Sequence, residues 1–359
     1  MQRRKQVVLA INPGSTSTKV AFFTRAKVIW HDKRHHPAKL FAKGSAVASQ
    51  HEWRLSQVDG LLSQAPTDVE IQAVVGRGGL LKPLVSGTYQ ISLQMLKELE
   101  DGRWGEHASN LGAMLAHAIA LRHEVPSFIV DPVVVDELED YARVSGWPAI
   151  ERRSIFHALN HKAVGRRAAL ELGRPYDELG LVIAHLGGGI TVGAHRRGRV
   201  IDVNNGLDGE GPFTPERCGG LPLTVLIKYA AGQGESADSL FPRIAGRGGL
   251  VDHLGTNDAQ EVEKRITQGD EQAKGVYQAM VYQIAKEIGR NVAALGQRPD
   301  AIIITGGLAY SQWIVERIQK KVEELGERFL VYPGEDELSA LANGAWRVLD
   351  GIEEARSYH

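Results

Sequence analysis

The chain has 359 residues, 43% of them hydrophobic, and its 42 Lys and Arg residues nearly balance 43 Asp and Glu residues. At roughly 150 residues per domain, this length predicts about two domains, and the hydrophobic content argues against disorder. The near-neutral charge argues against an extended nucleic-acid interface, which needs a surplus of clustered cations. We therefore expect a globular protein of two domains without a nucleic-acid partner.

The cysteine content and the hydropathy pattern indicate a compartment. Cys218 is the single cysteine, so the chain cannot form an internal disulfide and a reducing compartment is favoured. No apolar run reaches the roughly 18 residues that a membrane helix needs, and the run at 7–11 is too short for a signal-peptide core. These features predict a cytoplasmic protein without a membrane segment.

The first half of the chain alternates between strand and helix patterns. A β-branched run at 7–11 stops at a polar turn and resumes at 20–23, which predicts strand, turn, strand. Further strands are predicted at 73–75 and 128–130. Helices are predicted by apolar residues at three- and four-residue spacing, at 94–100, 108–122 and 157–172.

The second half begins with the same strand pattern. Strands at 181–186, 190–195 and 200–203 start about 170 residues after the first opening, which indicates a duplicated domain. Helices are then predicted at 223–231, 258–267 and 271–294, a strand at 301–305, and helices at 311–325 and 338–352. The pattern predicts an α/β fold. The domains are predicted at 1–147, completed by 338–359, and at 148–337.

Three turns rich in glycine or hydroxyl residues follow apolar strands, at 12–19, 187–189 and 305–307. Turns of this kind present backbone N–H groups that satisfy anionic oxygens. An ordinary tight turn explains any one of them, but three in a duplicated α/β chain favour a polyphosphate site. The chain has no Gly-Lys dipeptide, which excludes a Walker A loop. The histidines at 31, 35 and 36 are expected in a solvated loop.

These motifs resemble, in order and across nearly the whole chain, the butyrate kinase branch of the acetate kinase group. The segments that carry the resemblance are 11–19, 75–83, 105–112, 156–162, 185–189, 208–217 and 305–309. The group belongs to the sugar kinase, Hsp70 and actin superfamily. The resemblance therefore implies two duplicated ribonuclease H-like, actin-like ATPase domains with a nucleotide cleft between them. It also implies a reversible reaction in which ATP and a short-chain carboxylate give ADP and an acyl phosphate, with Mg²⁺ as cofactor.

The resemblance implies catalytic roles for five residues. It assigns Arg77 to the carboxylate, and Arg217 and His157 to the transferred phosphoryl group. Asp131 and His107 are the other two. A guanidinium stays charged and can hold carboxylate or phosphoryl oxygens bidentately, although ordinary surface ion pairs are the alternative for both arginines.

The same resemblance implies the nucleotide and metal ligands. Those assigned to ATP are Asn12, Ser15, Ser17, Lys19, His185, Gly187, Gly188, Gly189, Gly306 and Gly307. Asn12 and Glu337 are assigned to Mg²⁺, with Glu335 and Asp336 open as alternatives to Glu337 and a helix N-cap as a competing interpretation of this acidic run. Core packing is the alternative for His185, and His161 is expected to be structural.

Departures from acetate kinases favour the butyrate kinase branch. Gly188 stands where acetate kinases have Asn, and the residues around Asp131 differ, so 133–135 is only expected to lie near the acyl pocket. Short-chain acids differ by methylenes worth about 1–3 kcal/mol each, and the preferred acid stays open. Acetate or propionate kinase is the alternative. A nucleotide-dependent switch is another, although a switch needs no cationic site for a carboxylate. The resemblance further implies a homo-oligomer, at least a dimer, and leaves the direction of flux open.

Overall fold

The computed structural model describes residues 4–37 and 46–359. Its strands are β1 (Lys5–Pro13), β2 (Ser17–Phe23), β3 (Val28–His35), β4 (Val69–Arg77), β5 (Thr88–Gln90), β6 (Ser127–Val130), β7 (Gly180–Leu186), β8 (Ile190–Arg196), β9 (Arg199–Val203), β10 (Ala301–Gly306) and β11 (Phe329–Pro333). Its α-helices are α1 (His51–Leu62), α2 (Leu93–Glu100), α3 (Asn110–His123), α4 (Asp140–Arg143), α5 (Ala158–Leu172), α6 (Leu223–Gln233), α7 (Ala237–Ile244), α8 (Leu250–Leu254), α9 (Ala259–Thr267), α10 (Glu271–Leu295), α11 (Gln312–Val322) and α12 (Glu337–Leu349). The predicted α/β class is confirmed.

Each half of the chain forms one mixed sheet, and the two sheets share the topology of five strands, with β5 as an additional edge strand of the first. The first has the strand order β3-β2-β1-β4-β6-β5, and the second, read from its other edge, has β9-β8-β7-β10-β11. In both sheets three antiparallel strands come first in the chain, and two strands parallel to the first of them follow. The matched order confirms the duplicated domain, with β1, β4 and β6 equivalent to β7, β10 and β11.

Helices cover the apolar strands of both sheets. In the second sheet Val182 and Val192 belong to a buried cluster with Tyr277 and Ile284 of α10, while α5 contributes to a separate cluster that includes Ile183. In the first sheet α3 and α12 both pack against β1, β4 and β6. Strands buried in this way read as continuous hydrophobic runs, which is why the central strands could be predicted.

The longest helix, α10, is amphipathic. Its N-cap Asp270 accepts a hydrogen bond from the Ala273 N–H at 2.9 Å, and the helix ends at Gly296, whose φ is 73°. Left-handed backbone of this kind is the usual place for glycine at a helix C-terminus. Across the two described ranges, no helix has both the length and the apolar composition needed to cross a membrane.

The contacts divide the chain into two compact units. The first unit holds the described residues up to Val135, together with Ala158–Asn160 and Asp336–His359, and the second holds Asp136–His157 and His161–Glu335. Segment 136–147 lies in the second unit, because the Glu139 N–H donates to the Ile201 carbonyl at 3.0 Å. The domain division at 147 stays a prediction.

Candidate active site

The first unit brings three predicted site residues together at one edge of its sheet. Asn12 lies near the end of β1 and Arg77 ends β4, and these strands are parallel with Ile11 opposite Gly76. Glu337 is the first residue of α12. Asn12 Nδ2 donates to Glu337 Oε2 at 2.5 Å, and Arg77 Nη1 lies 2.8 Å from Oε1 and 3.0 Å from Oε2. We call Asn12, Arg77 and Glu337 the first cluster.

The three consecutive acids before and at the start of α12 have three different partners. Asp336 is the N-cap, and its side chain accepts a hydrogen bond from the Ser339 N–H at 3.2 Å. Glu335 Oε1 lies 3.0 Å from His185 Nε2. Glu337 is the acid that joins Asn12 and Arg77. The helix-cap interpretation therefore applies to Asp336, and Glu337 stays the predicted metal ligand.

The oxygen atoms of the first cluster can be compared with the ligands that Mg²⁺ prefers. Asn12 Oδ1 is buried and accepts no hydrogen bond from the described residues, so this oxygen is available to a cation. Mg²⁺ usually binds one or two carboxylates and takes its other ligands from water and substrate phosphates. The described residues hold no group of three or more His, Cys, Asp or Glu that could form an all-protein site. One carboxylate and one amide oxygen fit a Mg²⁺ ion shared with phosphates.

Asp131 lies at the same sheet edge with a strained backbone. It follows β6, where Val130 pairs with Arg77, and it is buried. Its φ is 38°, a region that costs free energy outside glycine and that is found most often at functional sites. Asp131 Oδ1 accepts the Gly87 N–H at 2.8 Å, and the Asp131 N–H donates to the Gly87 carbonyl at 3.0 Å. These two hydrogen bonds hold the carboxylate in place.

His107 precedes α3 and is exposed. Its Nδ1 accepts the Ser109 N–H at 3.2 Å and lies 2.8 Å from Ser109 Oγ. Because Nδ1 accepts, the ring proton of neutral His107 is on Nε2. The structure gives His107 a defined tautomer.

The predicted phosphate turn between β1 and β2 is closed by a hydrogen bond from the Gly14 N–H to the Ser17 carbonyl at 2.7 Å. Lys19 is the cross-strand partner of Asn12, so the two side chains share a face of the sheet. In the described part of the chain, the side chains of Ser15, Ser17 and Lys19 form no hydrogen bond to the first cluster. These three residues lie close to Asn12 in the chain, and their side chains are available to bind a ligand.

Arg54 was not predicted, and it supports this turn from behind. Its side chain is buried, and it donates to the Gly14 carbonyl at 2.8 Å, to Thr18 Oγ1 at 3.2 Å and to Gln50 Oε1. Desolvation by burial lowers the pKa of Arg54 from its ordinary value, and none of the described carboxylates acts against this shift. A buried guanidinium without a counter-ion adds positive potential behind the turn, which favours an anionic ligand.

The expectation that His31, His35 and His36 lie in a solvated loop is wrong. His31 and His35 lie on β3, and His36 is buried with Nε2 2.9 Å from Thr18 Oγ1. Burial, with a smaller contribution from the Arg54 charge, lowers the pKa of His36 to about 4. His36 is therefore neutral near pH 7.

Two predicted histidines of the second unit stack on each other. The His157 and His185 rings are nearly parallel, with centroids 3.8 Å apart. His157 Nδ1 lies 2.9 Å from Thr191 Oγ1, and His185 carries the contact to Glu335 described above. Thr191 was not predicted, although its position two residues after the glycine run at 187–189 was a usable signal.

Arg217 is held by a local turn and lies against the glycine run. Thr214 Oγ1 accepts the Arg217 N–H at 3.0 Å, and the Thr214 N–H donates to the Arg217 carbonyl at 3.0 Å. Arg217 Nη1 donates to the Gly206 carbonyl at 2.5 Å, and a Cβ added to Gly189 would overlap the guanidinium. Burial lowers the pKa of Arg217, but a guanidinium starts so high that it stays charged. No ion pair of the described residues involves Arg217, which leaves its charge for a ligand.

The two glycine loops of the second unit lie at neighbouring strand ends, because β7 and β10 are parallel with His185 opposite Thr305. The Gly187 N–H donates to the Gly189 carbonyl at 3.0 Å, and Gly188 faces the Glu216 carboxylate. Gly306 has a φ of 90°, and an added Cβ would overlap the Leu186 backbone. An added Cβ at Gly307 would meet nothing within 4 Å. Close backbone approach therefore requires glycine at 306 but not at 307.

Known proteins resemble this chain along nearly all of its length. A model of the Acetokinase family matches residues 145–331. The chain is 51% identical over 353 residues to the probable butyrate kinase of Coprothermobacter proteolyticus, covering 98% of this chain and 99% of that protein. The acetate kinase of Porphyromonas gingivalis has a TM-score of 0.78 at 20% identity, covering 96% and 100% of the two chains. A propionate kinase from Francisella tularensis subsp. tularensis SCHU S4 has a TM-score of 0.73 at 19% identity, covering 94% and 98%.

The duplicated sheets have the α/β fold of the solved acetate and propionate kinases. Within this class, the chain belongs to the Acetokinase family. The family resemblance predicted from the motifs and the predicted fold class are both confirmed. The roles of the individual site residues stay predictions.

Proposed function

We propose that this protein transfers a phosphoryl group from ATP to the carboxylate of butyrate or a branched relative, reversibly, giving an acyl phosphate and ADP. The observation that carries the proposal is the 51% identity, over the full length, to a probable butyrate kinase. The likeness to the solved acetate and propionate kinases is below 25% identity and supports the fold alone.

The chemistry asks for positioning and charge compensation more than for proton transfer. A short-chain carboxylic acid, with a pKa of about 4 to 5, is already ionised at pH 7, so no strong general base is needed. Two anions must approach each other, and negative charge is spread over the phosphoryl oxygens in the transition state. Preset cationic and N–H donors stabilise that charge without having to reorganise.

The proposed roles follow from the contacts of each side chain. Arg77 uses one nitrogen on Glu337 and keeps its other N–H donors for the substrate carboxylate. Arg217, which forms no salt bridge in the described part of the chain, compensates the phosphoryl charge. His157 donates a hydrogen bond to the same phosphoryl group. Asp131 and His107 are the other two proposed catalytic residues.

The nucleotide is proposed to bind the residues that the family resemblance assigns to it. The residues assigned are Asn12, Ser15, Ser17, Lys19, His185, Gly187, Gly188, Gly189, Gly306 and Gly307. Asn12 Oδ1 and the Glu337 carboxylate would hold Mg²⁺, and the chemistry supplied by the bound ion is neutralisation of phosphate charge. Arg54 would orient the turn through the Gly14 carbonyl.

The test is ATP-dependent acyl hydroxamate formation with hydroxylamine, across acetate, propionate, butyrate, isobutyrate and valerate. We expect the largest kcat/KM with the four-carbon acids and no product without Mg²⁺. A maximum at acetate or propionate would keep the chemistry and reject butyrate as the substrate. Tight ATP binding without product from any acid would favour a nucleotide-dependent switch.

The proposal includes a cytoplasmic protein that forms a homo-oligomer of at least two copies. The single cysteine supports the compartment. Two exposed apolar side chains on one face of α6 support the oligomer, because Leu223 and Ile227 are one helical turn apart and are 75% and 66% exposed. Light scattering after size exclusion should give a multiple of 39.2 kDa for the wild type and a smaller multiple for Ile227→Glu. A monomeric wild type would reject the oligomer.

A further inference from the structure

A continuous row of hydrogen bonds leads from His157 into the interior of the second unit. His157 Nδ1 lies 2.9 Å from Thr191 Oγ1, which lies 3.1 Å from His161 Nε2. His161 Nδ1 lies 3.2 Å from His195 Nε2, and His195 Nδ1 lies 2.7 Å from the Tyr176 hydroxyl. We call these five residues the histidine row.

Local geometry explains how the row is assembled. His157 and His161 are four residues apart at the start of α5, so they share a helix face. Thr191 and His195 are four residues apart on β8, so they share a face of the sheet. Side chains from the helix and the strand alternate along the row, and the partly buried Tyr176 forms the end opposite His157.

The two histidines in the middle of the row, His161 and His195, each carry one ring proton. His161 and His195 are fully buried, and desolvation by burial holds the pKa of both well below the ordinary value. The neighbouring Lys162, buried and paired with Glu137 at 2.6 Å, lowers both further. Each ring is therefore neutral, with one nitrogen that donates and one that accepts.

These constraints give the row a direction. With the Tyr176 O–H as donor and His195 Nδ1 as acceptor, the more acidic proton of this pair meets the more basic lone pair. His195 Nε2–H must then donate to His161 Nδ1, and His161 Nε2–H to Thr191 Oγ1. The Thr191 hydroxyl is left to donate to His157 Nδ1. The proton of His157 is consequently on Nε2.

We infer that the histidine row holds His157 in the Nε2–H tautomer, which makes Thr191, His161, His195 and Tyr176 positioning residues for phosphoryl transfer. The inference rests on the proposed role of His157 as a donor to the transferred phosphoryl group. An Nε2–H donor set in advance stabilises the charge on that group, whereas the other tautomer would present a lone pair to it. The stacked His185 ring restricts rotation of the His157 ring.

The experiment combines kinetics with ¹⁵N NMR of the histidine side chains in the whole protein. Thr191→Val removes the hydroxyl next to His157, and Tyr176→Phe removes the donor at the far end. We expect both variants to show a mixture of His157 tautomers and a kcat about tenfold lower, with the KM values for ATP and acid unchanged. Thr191→Ser, which restores the hydroxyl, should return both readouts to the wild-type values.

Tyr277→Phe is the matched control. It removes the hydroxyl of a buried tyrosine of the second unit that lies outside the row and donates to Glu263 at 3.1 Å. This variant should keep the wild-type tautomer and kcat. If Tyr277→Phe changed them as much as Tyr176→Phe did, a general loss of packing would explain the effect and the inference would fail.

Two results would overturn the inference. One is a wild-type His157 with its proton on Nδ1, and the other is an unchanged His157 tautomer in both Thr191→Val and Tyr176→Phe. The NMR readout needs no turnover. A row that behaves as expected in a protein without acid-dependent turnover would therefore reject the proposed function and leave the row in place.

Discussion

The two units share a strand arrangement but differ in what they place at the strand ends. In the first unit, the ends of β1, β4 and β6 carry the polar side chains Asn12, Arg77 and Asp131. In the second unit glycines lie at the strand ends: Gly187 follows β7, Gly306 ends β10 and Gly334 follows β11. The cation of the second unit, Arg217, comes instead from the segment between β9 and β10 and lies over a glycine. The first unit thus offers polar side chains at its strand ends, whereas the second unit offers glycine backbone together with the side chains of Arg217, His157 and His185.

The largest effect on kcat should come from removing the positive charge of Arg217. Arg217→Ala should lower kcat about a thousandfold, because a cation that compensates phosphoryl charge acts mainly in the transition state. Steady-state kinetics with butyrate measures this. Arg298→Ala removes an exposed arginine of the second unit that pairs with Glu327, and it should have wild-type kinetics. Equal effects of the two variants would remove Arg217 from the mechanism.

The first unit should respond differently to loss of its arginine. Arg77→Ala should lower kcat/KM for the acid about a hundredfold and leave the Kd for ATP unchanged, because Arg77 is assigned to the carboxylate. Calorimetric titration with an ATP analogue, beside acid kinetics, separates the two effects. The control is Arg122→Ala, which breaks an exposed pair with Asp59. Unchanged acid-dependent turnover in Arg77→Ala would contradict the assignment.

Neighbouring acids offer a sharper comparison within the first unit. Glu337→Gln should raise the Mg²⁺ concentration for half-maximal activity about tenfold to a hundredfold, because a ligand charge is lost. Asp336→Asn removes the same charge one residue earlier, but asparagine caps a helix as well as aspartate does. This control should keep both stability and Mg²⁺ dependence. The same Mg²⁺ dependence in both variants would reject Glu337 as the ligand.

The smallest expected effect on kcat comes from a change in the glycine run of the second unit. Gly189→Ala should displace the Arg217 guanidinium and lower kcat about tenfold, because the added Cβ has no room. Gly275→Ala in α10 has no neighbour within 4 Å of the added Cβ, and it should be more stable by about 0.5–1 kcal/mol with unchanged kcat. Wild-type kcat in Gly189→Ala would show that this glycine is only a turn residue.

The sequence predicted the elements whose own residues carry the signal. Central strands and their glycine turns could be predicted because burial on both faces leaves continuous apolar runs. β3 was missed because most of its side chains are exposed and polar, and α1 was missed because its buried face includes Arg54. Local pattern cannot show a buried arginine whose partners are two residues of a distant turn.

The residues of the candidate site could be predicted from the sequence, but the contacts between them could not. Asn12 and Glu337 are 325 positions apart, so only the folded chain shows their hydrogen bond. The acidic run at 335–337 could not be resolved in advance, because consecutive residues at a helix start point in different directions. The histidine row is an intermediate case: the four-residue spacings in α5 and β8 were visible, but their interleaving depends on tertiary packing.

The most direct test of the proposed activity is ³¹P NMR of the purified protein with ATP, butyrate and Mg²⁺. We predict an acyl phosphate resonance that grows in step with ADP, requires butyrate, and is replaced by ATP resonances when excess ADP is added. ADP formed with inorganic phosphate as the only other product, at the same rate with and without butyrate, would contradict it.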